Sequence, residues 1–222
     1  MLTKLIPGFL KKKLFTQVKK SILASQVQES SKLPKVQIDE KSLNSARLLP
    51  NREALLELLP KGGVVAELGV DQGGFSEKIL KINQPKTLHL VDLWGTERYH
   101  LGKRKEVEEK FSKEISKGEV CIHIGYSTEV VQKFEKDTFD WIYIDTNHSY
   151  ATTKQELELW SSKVKPDGII AGHDYIIGNW NGMVRYGVIE AVHEFCLNYN
   201  WEILYLSMEL DTAPSFAIRR RN

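Results

Sequence analysis

Few cysteines, few prolines and no long apolar run mark this chain of 222 residues. Two isolated cysteines, Cys121 and Cys196, give neither a secreted disulfide framework nor metal-ligand spacing. Both sit in apolar surroundings (VCIHIG and VIEAVHEFCLNYN) and read as small buried hydrophobes. No apolar stretch approaches the roughly 18 residues that span a bilayer. The first apolar segment, LIPGFL, is broken by Pro7-Gly8 and followed by lysines, a poor secretory signal, so the expected location is the cytoplasm. Strong charge of either sign is also lacking. The formal net charge is +2, which gives the whole molecule no electrostatic case for nucleic acid, and no nucleic-acid partner is expected.

What is present divides unevenly. Residues 1–45 are rich in Lys, Ser and Gln, and Lys4, Lys11, Lys12, Lys13, Lys19 and Lys20 all precede the first acid, Glu29. This basic extension reads as helical or partly disordered. It is either solvated or an interfacial helix, residues 1–20 touching an anionic membrane or docking on a partner, and it could serve a homo-oligomer. Residues 46–222 read as one domain. There, short apolar runs alternate with helical patterns: VVAELGV, TLHLVDLW, CIHIG, DWIYID and GIIAGHDY are strands, with helices between. Lys165-Pro166-Asp167-Gly168 reads as the turn before the last of these. Alternation predicts an α/β fold, a mostly parallel sheet with helices on both faces. WEILYLS and SFAIRR have no helix between them and must pair antiparallel.

In such a sheet, ligands bind beyond the carboxyl ends of the strands. The first strand end reads Glu67-Leu68-Gly69-Val70-Asp71-Gln72-Gly73-Gly74-Phe75-Ser76, a glycine turn preceded by an acid. It is not the G-x-G-x-x-G of a pyrophosphate cradle, and the carboxylate favours a ligand bearing positive charge. Asp92 follows Gly69 by 23 residues and is followed by Leu93, a spacing suited to accepting ribose hydroxyls or to capping a helix. Tyr126 and Ser127 offer an aromatic face and a hydroxyl to an adenine ring, or an N-cap. Asp145-Thr146-Asn147-His148 and His173-Asp174-Tyr175 close two further strands. An alcohol acceptor needs a base with a pKa near neutrality, and His148 is the candidate. Asp145 and Asp174, with His173, could hold a hard divalent cation; alternatively Asp145 hydrogen-bonds the nucleoside ligand and His173-Asp174 stands behind it. His89 and His123 read as core residues. Trp94, Tyr99, Trp180 and Tyr186 could offer flat surfaces to the acceptor, and the loop with His100 could cover it.

ELGVDQGGFS, VDLW, FDWIYIDTNHSY and VKPDGIIAGHDY, in this order, resemble the class I S-adenosylmethionine-dependent methyltransferases over roughly residues 50–218. Within that superfamily the last two motifs resemble a bacterial branch akin to sugar and macrolide O-methyltransferases and to cephalosporin-hydroxylase-like proteins. The resemblance implies a Rossmann-like seven-stranded sheet whose last pair is antiparallel. It implies S-adenosylmethionine bound by Glu67, Gly69, Gly73, Phe75, Ser76, Asp92, Leu93, Tyr126, Ser127 and Asp145. Asp145 and His148 would be catalytic, and magnesium would sit on Asp145 and Asp174, with His173 beside them where some relatives carry a second acid. The implied reaction is O-methylation of a small hydroxylated acceptor such as a sugar or glycoside. A metal-independent methyltransferase, possibly on nitrogen, and a non-catalytic binding module on the same fold stand as alternatives; the loop argues against a dinucleotide oxidoreductase.

Overall fold

A computed structural model describes residues 7–96, 101–179, 184–210 and 212–221. The chain opens with helix α1 (Gly8–Ser31), which buries none of its residues. Residues 36–46 already lie on the body: Ser42 is fully buried, and the Val36 carbonyl lies 3.2 Å from Nδ1 of His193. Next come β1 (Arg47–Leu49) and α2 (Arg52–Leu58). The Asn51 side chain caps α2 by accepting from the Ala54 amide at 2.9 Å. The alternating part follows: β2 (Val64–Leu68), α3 (Gly74–Asn83), β3 (Thr87–Asp92), α4 (Leu101–Lys110), α5 (Ser112–Ser116), β4 (Val120–Ile124), α6 (Ser127–Val130), β5 (Phe139–Ile144), α7 (Tyr150–Ser161) and β6 (Val164–Gly172). A two-stranded ribbon, β7 (Gly178–Asn179) and β8 (Val184–Arg185), leads to α8 (Val188–Tyr199), β9 (Trp201–Ser207) and β10 (Phe216–Arg220).

The main sheet has eight strands in the order β1-β9-β10-β6-β5-β2-β3-β4. β10 runs antiparallel to both its neighbours, and the remaining pairs are parallel. The expected seven strands are joined by β1, whose three residues are too few to show a period in sequence. A second difference concerns Lys165-Pro166-Asp167-Gly168. These residues lie inside β6, where the register against β5 jumps from Phe139↔Val164 to Trp141↔Ile169. Pro166 cannot donate to a ladder, so the strand loops outward there and then resumes.

β5 shows why the sheet needs two covers. Its side chains alternate: Phe139, Ile142 and Ile144 enter one core with Leu157, Trp160 and Phe195 from α7 and α8. Trp141 and Tyr143 enter the other, with Leu55, Phe75, Ile79 and Val107 from α2, α3 and α4. Each of these aromatics is fully buried apart from slight exposure at Phe75 and Phe195. Truncating one such ring to Ala costs about 3–5 kcal/mol. From β2 the chain moves outward through β3 and β4, then returns to the other side of β2 as β5. That reversal opens a crevice between the carboxyl ends of β2 and β5.

Candidate active site

Gly69 makes the crevice possible. Its φ is +87°, and a Cβ there would overlap the backbone carbonyl of Asp145. Without a side chain the ends of β2 and β5 close together: the Asp145 amide donates to the Leu68 carbonyl at 2.7 Å, and the Gly69 amide to that of Val91 at 2.8 Å. Above them lies a cavity of about 770 Å³. Glu67, Gly69, Phe75, Asp92, Leu93, Tyr126, Ser127, Asp145 and His148 all line it.

Two of the residues expected to bind the cofactor do not line it. Gly73 starts α3 in the left-handed conformation and faces the Phe111 ring, so its role is to turn the chain. Ser76 is fully buried behind Glu67, to which its hydroxyl donates. Glu67 itself is almost wholly enclosed. Burial pushes its carboxyl up to about 8, against the opposing effect of the Ser76 bond. Asp92 holds the glycine turn together: Oδ2 accepts from the amides of Val70 (2.8 Å) and Asp71 (3.1 Å), and Oδ1 from Trp94 (2.9 Å). Trp94 is fully buried, with its indole N–H on the Asp71 carbonyl, and so offers no surface to an acceptor. Tyr99, His100 and Trp180 lie outside the described residues.

Sequence reasoning missed two lining residues. Glu156 is fully buried midway along α7. It accepts from Ser127 and, at 2.8 Å on each oxygen, from Thr146. Burial raises its carboxyl to about 7, the Ser127 and Thr146 bonds opposing. The signal was present: Thr153, Glu156, Leu157 and Trp160 form one inward face at helical spacing. Arg52, at the start of α2, places its guanidinium carbon 4.0 Å from the centroid of Phe75. Among the described residues no carboxylate forms an ion pair with it, and nothing in REALLELL marked it.

The acceptor side is a cluster of acids and imidazoles. His148 Nδ1 lies 2.6 Å from Asp174 Oδ2. Its ring stacks obliquely on Tyr186, centroids 4.4 Å apart, and Tyr186 also lines the cavity. His173 Nδ1 is 3.5 Å from Asp174 and 3.7 Å from Asp145, while its Nε2 is buried without a hydrogen-bond partner. Asp174 adopts φ 57°, strained backbone of the kind that gathers at functional sites. Burial opposes its ionisation, but hydrogen bonds from His148 and His173 outweigh burial and hold the carboxyl well below its usual range. Asp145 moves the other way, raised chiefly by burial. The ligand atoms that converge within 4.8 Å belong to Asp145, His148 and Asp174. His148, with its Nδ1 on Asp174 Oδ2, therefore stands in this group where His173 is expected. His89 and His123 pair with each other at 2.9 Å within the sheet, away from this cluster.

A family model described as a methyltransferase domain matches residues 66–175. No curated protein matches the chain by sequence. Among solved structures, the Bacillus subtilis m1A22 tRNA methyltransferase TrmK is similar at 14% identity and TM-score 0.56, over 78% of this chain and 67% of that one. An S-adenosylmethionine-dependent methyltransferase from Aquifex aeolicus has 14% identity and TM-score 0.56, over 81% and 93%. A candidate methyltransferase from Streptococcus mutans, solved with S-adenosylhomocysteine, has 13% identity and TM-score 0.54, over 75% and 93%. These are likenesses of fold. Matched sequence and sheet order agree, and the chain is a class I S-adenosylmethionine-dependent methyltransferase.

Proposed function

We propose that the enzyme methylates a hydroxyl oxygen on a small acceptor such as a sugar or glycoside, with His148 as the base. The observation that carries this is the 2.6 Å contact between His148 Nδ1 and Asp174 Oδ2 at the cavity wall. Asp174, held ionised, accepts from Nδ1–H, so the lone pair resides on Nε2. Nε2 takes the hydroxyl proton as the oxygen attacks the methyl carbon. The C–O bond forms, the C–S bond breaks with its electrons on sulfur, and S-adenosylhomocysteine leaves. S-adenosylmethionine supplies the activated methyl group. Glu67, Gly69, Phe75, Asp92, Leu93, Tyr126 and Ser127 are assigned to holding it, and Asp145 stands where cofactor and acceptor meet. Arg52, which forms no ion pair among the described residues, is assigned to its methionine carboxylate. Tyr186 walls the acceptor side. The catalytic unit on this reading is residues 46–222, α1 being dispensable for methyl transfer.

Asp145, Asp174 and His148 bring two oxygens and one nitrogen within 4.8 Å and would fit a divalent cation only with His148 as a ligand in place of a base. A magnesium ion there would lower the pKa of a coordinated hydroxyl. The direct His148–Asp174 hydrogen bond equally supports metal-free catalysis, so chelation is part of the test. A second reading, methylation of RNA, is favoured by the tRNA methyltransferase among the fold neighbours.

The test supplies labelled S-adenosylmethionine with glycosides, phenols or total tRNA and rRNA, with and without chelator. Label on a small hydroxylated product, lost in His148→Ala while S-adenosylhomocysteine still binds, supports the proposal. Label on RNA alone, or undiminished turnover in His148→Ala, contradicts it. Activity surviving chelation removes the cation and leaves the base.

A further inference from the structure

The positive charge of this molecule is concentrated in one place. Residues 1–28 contain six lysines and no acid, whereas residues 29–222 hold 25 basic and 29 acidic residues. The body is thus net negative, and the cationic character lies on α1 and the short segment before it. α1 is 24 residues long, about 36 Å at 1.5 Å per residue. Its C-terminal end is tied to the body where Ser30 Oγ meets Arg185 Nε at 3.2 Å. Toward its N-terminus it buries nothing.

Around residues 10–20 the helix has two unlike sides. Leu10, Leu14 and Val18 recur every fourth residue and, with Phe15, form one stripe. Lys12 and Lys20 fall on the opposite side, and Lys13 and Lys19 flank the stripe at its two edges. The stripe is open: Leu14 is 55% and Phe15 71% exposed. Lys11 falls within the stripe, between Val18 and Phe15, where a lysine stem can lie along apolar surface.

We infer that α1 is an interfacial helix that binds an anionic lipid bilayer, its Leu10–Leu14–Phe15–Val18 stripe entering the headgroup boundary between lysines held at the lipid phosphates. Charge complementarity chooses the occupant. A second copy of this chain would bring lysine-bearing helices together and repel. RNA would engage the lysines but give the apolar stripe no role. A lipid surface of negative charge satisfies both sides at once. No helix among the described residues is long and apolar enough to cross a membrane, so the contact lies along the surface. Arg185, which holds the end of α1, also lines the catalytic cavity. Binding through α1 therefore keeps the site beside the bilayer, where a lipid-linked acceptor would be met.

The experiment is co-sedimentation of the full-length chain with vesicles of phosphatidylcholine alone or with about one-third phosphatidylserine. Binding to the anionic vesicles only, reversed by high salt, is expected. Each lysine changed to Gln among Lys12, Lys13, Lys19 and Lys20 should weaken partitioning about fivefold. Leu14→Gln with Phe15→Gln should abolish it. Stabilisation by S-adenosylhomocysteine, read in the same variants, should be unchanged, which separates failure of α1 from failure of the catalytic reading. Equal binding to neutral vesicles, or none to anionic ones, overturns the inference. So does retention of RNA that depends on the lysines but not on Leu14 and Phe15, or self-association that the Leu14 and Phe15 changes abolish.

Discussion

Replacing Glu67 by Gln probes the floor of the cavity through its proton. The carboxyl is almost wholly enclosed and pushed up to about 8 from 4.5 by burial. Between those two values the folded chain holds a proton there that the unfolded chain releases. Stability therefore falls as pH rises through that window. One proton corresponds to a slope of about 1.4 kcal/mol per pH unit, and the full window to about 5 kcal/mol. Gln keeps the shape and a hydrogen-bond acceptor for the Ser76 hydroxyl but has no proton to lose. Urea unfolding at intervals from pH 5 to pH 9 should show wild type losing stability relative to Glu67→Gln, the gap widening toward pH 8 and then levelling. Comparing the two proteins cancels the parallel behaviour of Glu156, whose carboxyl also sits high, at about 7. Parallel pH profiles would mean that Glu67 is ionised in the folded protein and that the enclosed floor described above is wrong.

Four further outcomes follow from the same geometry. Asp174→Asn should lower kcat by about 10³–10⁴-fold through loss of the His148 tautomer while S-adenosylhomocysteine still binds; isothermal titration alongside initial rates checks this. Gly69→Ala forces a Cβ onto the Asp145 carbonyl at φ +87°; a loss of more than about 2 kcal/mol, seen as a Tm lowered by roughly 5–10 °C, is expected in calorimetry. Arg52→Ala should weaken S-adenosylhomocysteine by about 10–100-fold and leave adenosine unaffected, since only the former has the carboxylate. The His89–His123 pair titrates low, burial bringing His89 to about 4. The unfolded chain takes up that proton first, so stability should fall as pH drops from 6.5 toward 4, and His89→Phe should flatten this limb in acid unfolding.

Much of the sheet was legible because its strands are buried on both faces and read as unbroken apolar runs, DWIYI above all. The missing helix between WEILYLS and SFAIRR was enough to fix the sense of the last pair. β1 was not legible, because three residues carry no period and its pairing with β9 is set by tertiary contact. The interruption in β6 reads in sequence as a turn because of Pro166 and Gly168, and the sheet absorbs it as an outward loop. At the site, strand-end acids and histidines announced themselves through position. Glu156 and Arg52 did not, since each looks like an ordinary helix charge until the fold turns it inward. His148 rather than His173 joins the convergent group, because spacing locates a backbone whereas ligand geometry depends on which way each ring points.

The crevice bounded by Glu67, Gly69, Asp92 and Asp145 is assigned to an S-adenosyl nucleoside with its methionine chain. Calorimetric titration of the full-length chain with S-adenosylhomocysteine measures it directly, with a nicotinamide dinucleotide as the comparison ligand. One S-adenosylhomocysteine per chain, weakened by Arg52→Ala, and no heat from the dinucleotide are expected. Saturable binding of the dinucleotide with none of S-adenosylhomocysteine would contradict it.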